Sequence, residues 1–138
     1  MNTRQTAPYG SWESPITSDM IAEQTVRFEQ VTAVGKTLYW LEERPKENGR
    51  SVIMRCDQDD NVTELTPDPF NVRSRVHEYG GGAYAVAESE VFFINYQDQD
   101  IYRQDSDGPP RAVTAAANLR FAALTIDRHR NRIICIRE

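Results

Sequence analysis

At 138 residues the chain has room for one domain with a core of its own and not for several, and 39% hydrophobic with 27% charged residues describes a water-facing surface. A net charge of −5 argues against a nucleic-acid binder, which carries a basic face, and no apolar run approaches the roughly 20 residues that span a bilayer. The first residues, Met1 to Tyr9, lack the apolar stretch of a signal peptide, so a cytoplasmic protein without nucleic-acid or membrane partners is expected.

Residues 1–24 read as an irregular arm, polar and interrupted by Pro8 and Gly10, with Tyr9 and Trp12 as its apolar contacts. Pro15 holds Ser14 extended, and Ser18 is placed to cap a short helical turn over Asp19 to Glu23. From Thr25 the residues become β-branched or aromatic. Val26 to Val34 and Leu38 to Leu41 predict two strands joined at Gly35, Ser51 to Asp57 a third, and Val62 to Thr66 a fourth. Pro45 to Gly49 and Gln58 to Asn61 are the breaks between them, and the carboxylates of Asp57, Asp59 and Asp60 fit turn chemistry.

The pattern then recurs. Ala83 to Ala87, Glu90 to Tyr96, Asp100 to Gln104 and Arg111 to Thr114 repeat the four strands, so that Ile53, Arg55, Asp57, Leu65 and Thr66 fall on Ile101, Arg103, Asp105, Val113 and Thr114. Turns are expected at Glu88-Ser89 and at Asp105 to Gly108. A third copy begins at Phe121 to Asp127, turns through Arg128 to Asn131 and continues from Arg132 to Glu138. Four short strands per roughly 50 residues is the mark of propeller blades. The fold class is therefore all-β: an incomplete β-propeller of about two and a half four-stranded antiparallel blades over residues 25–138, with blades near 25–66, 82–114 and 120–138. An open stack leaves a blade face exposed, which implies self-association, swapping or, the reading preferred here, a piece of a longer chain.

Strand parity puts the turns at Gly35, Asp59, Ser89, Asp107 and Arg130 on one rim, and the loop Pro45 to Arg50 with the long crossing Pro67 to Gly81 on the other. The crossing holds the most reactive side chains of the chain, and loops carry function in such scaffolds. Arg73, Arg75 and His77, at period two, are placed to offer positive charge to an anionic group such as a peptide carboxylate or a partner domain. The plainer reading is that His77 and Glu78 fix the loop through Arg73 or Arg75, since neighbours on an extended chain cannot meet head to head as acid and base. Gly80, Gly81 and Gly82 precede a strand rather than a helix, so they read as close-approach positions and not as a phosphate cradle. Arg128 to Arg132, with Arg120 nearby, form the basic cluster, read as a solvated hairpin tip.

Cys56 and Cys135 each lie in an apolar alternating run and read as reduced, buried thiols, with a disulfide or a reactive thiol as the other reading. Neither has a second ligand at metal spacing, and no serine stands in a nucleophile elbow, so no catalytic residue, metal or cofactor is expected in this chain.

Three passages, Pro8 to Thr17, Tyr39 to Pro45 with Gly49-Arg50, and Val72 to Tyr84, together resemble the amino-terminal part of acylaminoacyl-peptidase or dipeptidyl-aminopeptidase-like members of the prolyl oligopeptidase family of serine peptidases. The resemblance runs in order along essentially the whole chain. It implies a propeller that gates and orients short peptides for an α/β-hydrolase domain, whose Ser-His-Asp triad has no counterpart in these residues. That hydrolase domain, the remaining blades and short peptides are the implied partners. The competing reading is a free-standing β-repeat binding module that completes its propeller by oligomerising.

Overall fold

The computed structural model describes residues 6–18, 20, 25–88, 90–105 and 108–138 of the chain. Among them, β1 (Arg27–Val34), β2 (Thr37–Arg44), β3 (Arg50–Cys56) and β4 (Val62–Glu64) form an antiparallel sheet in the order β1-β2-β3-β4. A second sheet repeats that order with β5 (Tyr84–Ala87), β6 (Glu90–Ile94), β7 (Ile101–Asp105) and β8 (Arg111–Ala112). β9 (Phe121–Asp127) and β10 (Arg132–Arg137) pair in a third. The described residues are thus an all-β, incomplete propeller: two four-stranded blades followed by a two-stranded sheet.

The internal repeat holds down to single hydrogen bonds. Ile53 donates its N–H to the Thr66 hydroxyl at 3.1 Å, and Ile101 donates to the Thr114 hydroxyl at 2.9 Å. Leu65 N–H returns to the Ile53 carbonyl at 2.8 Å, as Val113 does to Ile101 at 2.7 Å. The threonine hydroxyl stands where a strand carbonyl would accept, so the fourth strands end earlier than the alternation suggests, at Glu64 and Ala112. At the β3–β4 turn the Asp57 carboxylate accepts from the N–H of Asp59 and Asn61, as turn chemistry requires.

Each blade presents one face to the next. Tyr39, Leu41, Ile53 and Leu65 of the first blade pack on Tyr84, Val86, Val91 and Phe93 of the second. Phe70 stands edge-on to Phe93 and Tyr102, with centroids 5.7 and 4.9 Å away. A smaller cluster of Ile94, Ile101, Phe121 and Leu124 joins the second blade to the third sheet. On the axis side the innermost strands β1, β5 and β9 touch in sequence. Gln30 has φ +51° at a register shift in β1, and this bulge sends its amide across to blade two. There the amide accepts from Ala83 N–H at 2.9 Å and donates to the Tyr84 carbonyl at 2.8 Å. Ala123, at φ +54° beside the irregularity in the β9–β10 pairing, donates its N–H to the Gly82 carbonyl at 2.8 Å.

Three local expectations are corrected. Thr17, not Ser18, accepts the Met20 N–H at 3.1 Å and so is the cap; most of the helical turn expected after it lies outside the described residues, as do Ser89, Ser106 and Asp107 of the expected turns. Both cysteines are free thiols, yet half-buried rather than buried, because each lies on a strand whose sheet face is only partly covered. Arg120 does not join the Arg128 to Arg132 tip; that tip is instead held by Asp127, which pairs with Arg132 at 2.9 Å and Arg130 at 3.4 Å. No helix among the described residues is long and apolar enough to cross a membrane.

Candidate functional site

The crossing from blade one to blade two is held extended by buried amides. Asn71 accepts from Ser51 N–H through its side chain at 3.0 Å, and its own N–H donates to the Asn95 side chain at 3.2 Å. Val72 bridges Asn95, and Arg73 N–H donates to the Ile94 carbonyl at 3.1 Å. Gln99, only 2% exposed, accepts from Arg75 N–H at 2.7 Å and donates to the Arg73 carbonyl at 3.3 Å. The crossing is therefore an added strand segment on the end of β6, and its side chains alternate.

Val72, Ser74 and Val76 point inward and are buried, while Arg73 and His77 are exposed and Arg75 half-buried. Arg73 and Arg75 meet on one aromatic ring: their guanidinium carbons lie 5.5 and 5.2 Å from the centroid of Tyr96. Ring quadrupole and cation attract at such distances. No described carboxylate lies within ion-pair distance of either guanidinium, and Arg75 Nε is buried without a hydrogen-bond partner. Among the described residues the two cations are thus held side by side without a counter-ion.

His77 and Glu78 are led elsewhere. Both have positive φ, +52° and +60°. His77 N–H donates to the Glu138 carboxylate at 2.8 Å, and its Nδ1 lies 3.4 Å from the same group, whose carboxyl this backbone donor holds below its usual range. Glu78 accepts from Arg120, which also donates to the Arg75 carbonyl at 2.9 Å. Their partners are thus Arg120 and Glu138, not Arg73 or Arg75 as the sequence suggested, because the third sheet packs under the end of the crossing. They anchor the loop and share no proton with each other.

The glycines allow this packing. Gly80 has φ +83°, and a Cβ there would come 3.0 Å from the Ser74 carbonyl; one on Gly81 would meet the Ala122 Cβ at 3.0 Å. Ser74 is buried and donates its hydroxyl to the Phe121 carbonyl at 2.6 Å, so it is a structural donor and not a nucleophile. Beside the crossing, between it and blade one, opens a cleft of about 240 Å³ bordered by Arg27, Glu29, Glu43, Arg73 and Tyr79. Arg27 and Glu43, opposite each other on β1 and β2, form an ion pair of 3.8 Å on its blade-one side.

Asn71, Asn95 and Gln99 escaped the sequence reading. The one signal that could have found them is that each is a polar residue inside or next to an apolar strand pattern, where burial demands a partner.

No protein-family model matches the chain, and no curated protein sequence matches it. Solved structures do. A puromycin-hydrolyzing peptidase of Mycobacterium tuberculosis is 36% identical over 97% of this chain, with a TM-score of 0.82. Puromycin hydrolase is 33% identical over 94%, with a TM-score of 0.77, and a mutant of it complexed with PGG is 33% identical over 93%. The chain spans only 22% of the length of the first two. These peptidases are prolyl oligopeptidase family members, and the repeat, the blade order and the likeness along nearly the whole chain lead to one conclusion: the chain belongs to that family, as its amino-terminal β-propeller part.

Proposed function

We propose that this chain is a non-catalytic propeller portion of a cytoplasmic serine peptidase, and that it orients short peptides or small amides for a hydrolase domain. The pair Arg73 and Arg75 on Tyr96 carries the proposal, since it offers two uncompensated cations at the rim where the longer loops gather. A carboxylate would take a two-pronged hydrogen bond from one guanidinium and charge from the other. His77 and Glu78 act behind it by fixing the loop through Glu138 and Arg120. The relatives are puromycin-hydrolyzing, and cleavage of an amide of that kind is proposed for the whole protein; since puromycin carries no carboxylate, the arginine pair is assigned to peptides with a free carboxyl terminus.

The test separates the two halves of the proposal. The 138-residue chain is expected to leave puromycin and aminoacyl chromogenic substrates uncut, and serine-hydrolase labelling of it would overturn the non-catalytic assignment. Calorimetric titration with tripeptides is expected to show that a free carboxyl terminus binds about tenfold more tightly than its amide, the worth of one charge-assisted hydrogen bond. In Arg73→Ala/Arg75→Ala the difference disappears. Equal affinity for both forms in the unsubstituted chain removes the arginine pair from the proposal.

A further inference from the structure

The cleft between blade one and the crossing has its walls in the two four-stranded blades and in the segment that joins them. Strand register builds the first wall. Arg27 stands opposite Glu43 and Glu29 opposite Leu41, so these residues, two apart on β1 and on β2, share one face of the sheet. Leu41 on that face is buried in the core shared with blade two, and the three charged side chains border the cleft beside it.

The charges on the walls do not all cancel. Arg27 and Glu43 neutralise each other at 3.8 Å, whereas Glu29 has no ion-pair partner among the described residues. Across the cleft stands Arg73, which also lies on Tyr96 beside Arg75. The cleft thus offers one unbalanced carboxylate, and it opens beside the arginine pair because Arg73 belongs to both. Its volume of about 240 Å³ corresponds to about eight waters at roughly 30 Å³ each, which suits one long side chain. Tyr79, 97% exposed, borders the same cleft and presents a ring along which an aliphatic stem can lie while its charged end stays in polar surroundings.

We infer that the cleft is a subsite for a primary ammonium, that of a lysine side chain at the carboxyl terminus of a peptide, with Glu29 as its counter-ion. The inference rests on the arginine pair holding the terminal carboxylate: Arg73 then fixes the last residue at the mouth of the cleft, and that residue's side chain is the one nearest to it. A lysine there balances Glu29, whereas an acidic side chain meets it as a like charge. The chain therefore selects carboxyl-terminal lysine over apolar or acidic residues. An α-amino group carries the same ammonium, and acetylating it tells the two sources apart.

The probes are N-acetyl-Gly-Gly-Lys and N-acetyl-Gly-Gly-norleucine, each as free acid and as amide, titrated into the 138-residue chain. Norleucine keeps a lysine-like stem without the charge. Between the two acids lysine is expected to bind about fivefold more tightly, the worth of one partly solvated ion pair, and added salt is expected to shrink the difference. Glu29 is exposed, so its variants keep the fold. Glu29→Gln is expected to remove the lysine preference and to leave the preference for acid over amide; Glu29→Lys is expected to turn the preference toward N-acetyl-Gly-Gly-Glu. Equal affinity of the two acids, with acid still preferred over amide, overturns the subsite and leaves the arginine pair standing. Equal affinity of acid and amide removes the arginine pair, and the carboxyl-terminal placement of the lysine with it. A lysine preference that survives Glu29→Gln also overturns the inference. So does Gly-Gly-norleucine with a free amino terminus binding as tightly as the acetylated lysine peptide, since the cleft then takes the α-ammonium.

Discussion

At Gly80 the backbone runs at φ +83° with the Ser74 carbonyl 3.0 Å from where a Cβ would be, so two separate penalties act on any side chain. Gly82 has ordinary φ and nothing nearer than 3.4 Å. Gly80→Ala is therefore expected to cost about 1–3 kcal/mol and Gly82→Ala distinctly less, read as a shift of the urea midpoint at constant slope. Equal shifts would mean that the three glycines serve flexibility rather than close approach. Glu47 gives a residue-scale test in acid. Its carboxyl is held below the usual carboxylate range by the hydrogen bond from Arg50 at 2.7 Å. A depressed folded-state value means that the contribution is complete above the unfolded value, about 4.3, and is lost as pH falls through the folded one. The stability difference between the protein and Glu47→Gln is thus expected to shrink on acidification from neutral pH. A difference independent of pH would remove the Arg50 bond as its cause.

Strands are legible because alternation and β-branching are local properties, and the repeat adds register: Thr66 falls on Thr114, and each hydroxyl accepts the N–H of the matching strand residue, Ile53 or Ile101. The period-two spacing does bring Arg73 and Arg75 onto one ring, since an extended segment alternates, whereas His77 leaves that face at its positive φ and turns to Glu138. The partners of His77 and Glu78 were not legible. They depend on Arg120 and Glu138, more than forty residues away in sequence, and on two positive-φ residues that no local preference demands. Gln30 was hidden likewise, for its bulge has no glycine to announce it. It is nevertheless the link between innermost strands: its side chain satisfies Ala83 N–H and the Tyr84 carbonyl, and its own carbonyl accepts from the Tyr84 hydroxyl. Gln30→Ala leaves a donor and an acceptor unmatched at a part-buried site, and is expected to destabilise by about 1–3 kcal/mol. Gln30→Glu restores one acceptor without the donor and is expected to fall between, as denaturant titration would show. A loss no larger for Gln30→Ala than for an exposed β1 substitution would deny it that role.

The molecule as a whole is unevenly held. Between blades one and two lie ten clustered buried side chains, from Tyr39 to Phe93, whereas four join blade two to the third sheet. At the rim of blade one Arg44 and Arg50 are bound to Glu42, Glu47 and Glu64, with guanidinium side chains only 19% and 14% exposed, which ties β2, β3 and β4 together at one end. Among the described residues β10 is tied to β9 at its start by the Arg132–Asp127 pair, and its Ile134 and Ile136 are half exposed. Local stability follows the density of buried contacts, so opening should begin at the third sheet and reach blade one last. Amide hydrogen exchange under native conditions is expected to show the slowest exchange at Val52 to Met54 and at Ile94, whose N–H donates to the Ala83 carbonyl at 2.9 Å, and the fastest strand exchange along Arg132 to Arg137. Uniform exchange in all three sheets would mean that they unfold as a single unit, and that the smaller cluster around Ile94 couples the third sheet more tightly than its four side chains suggest.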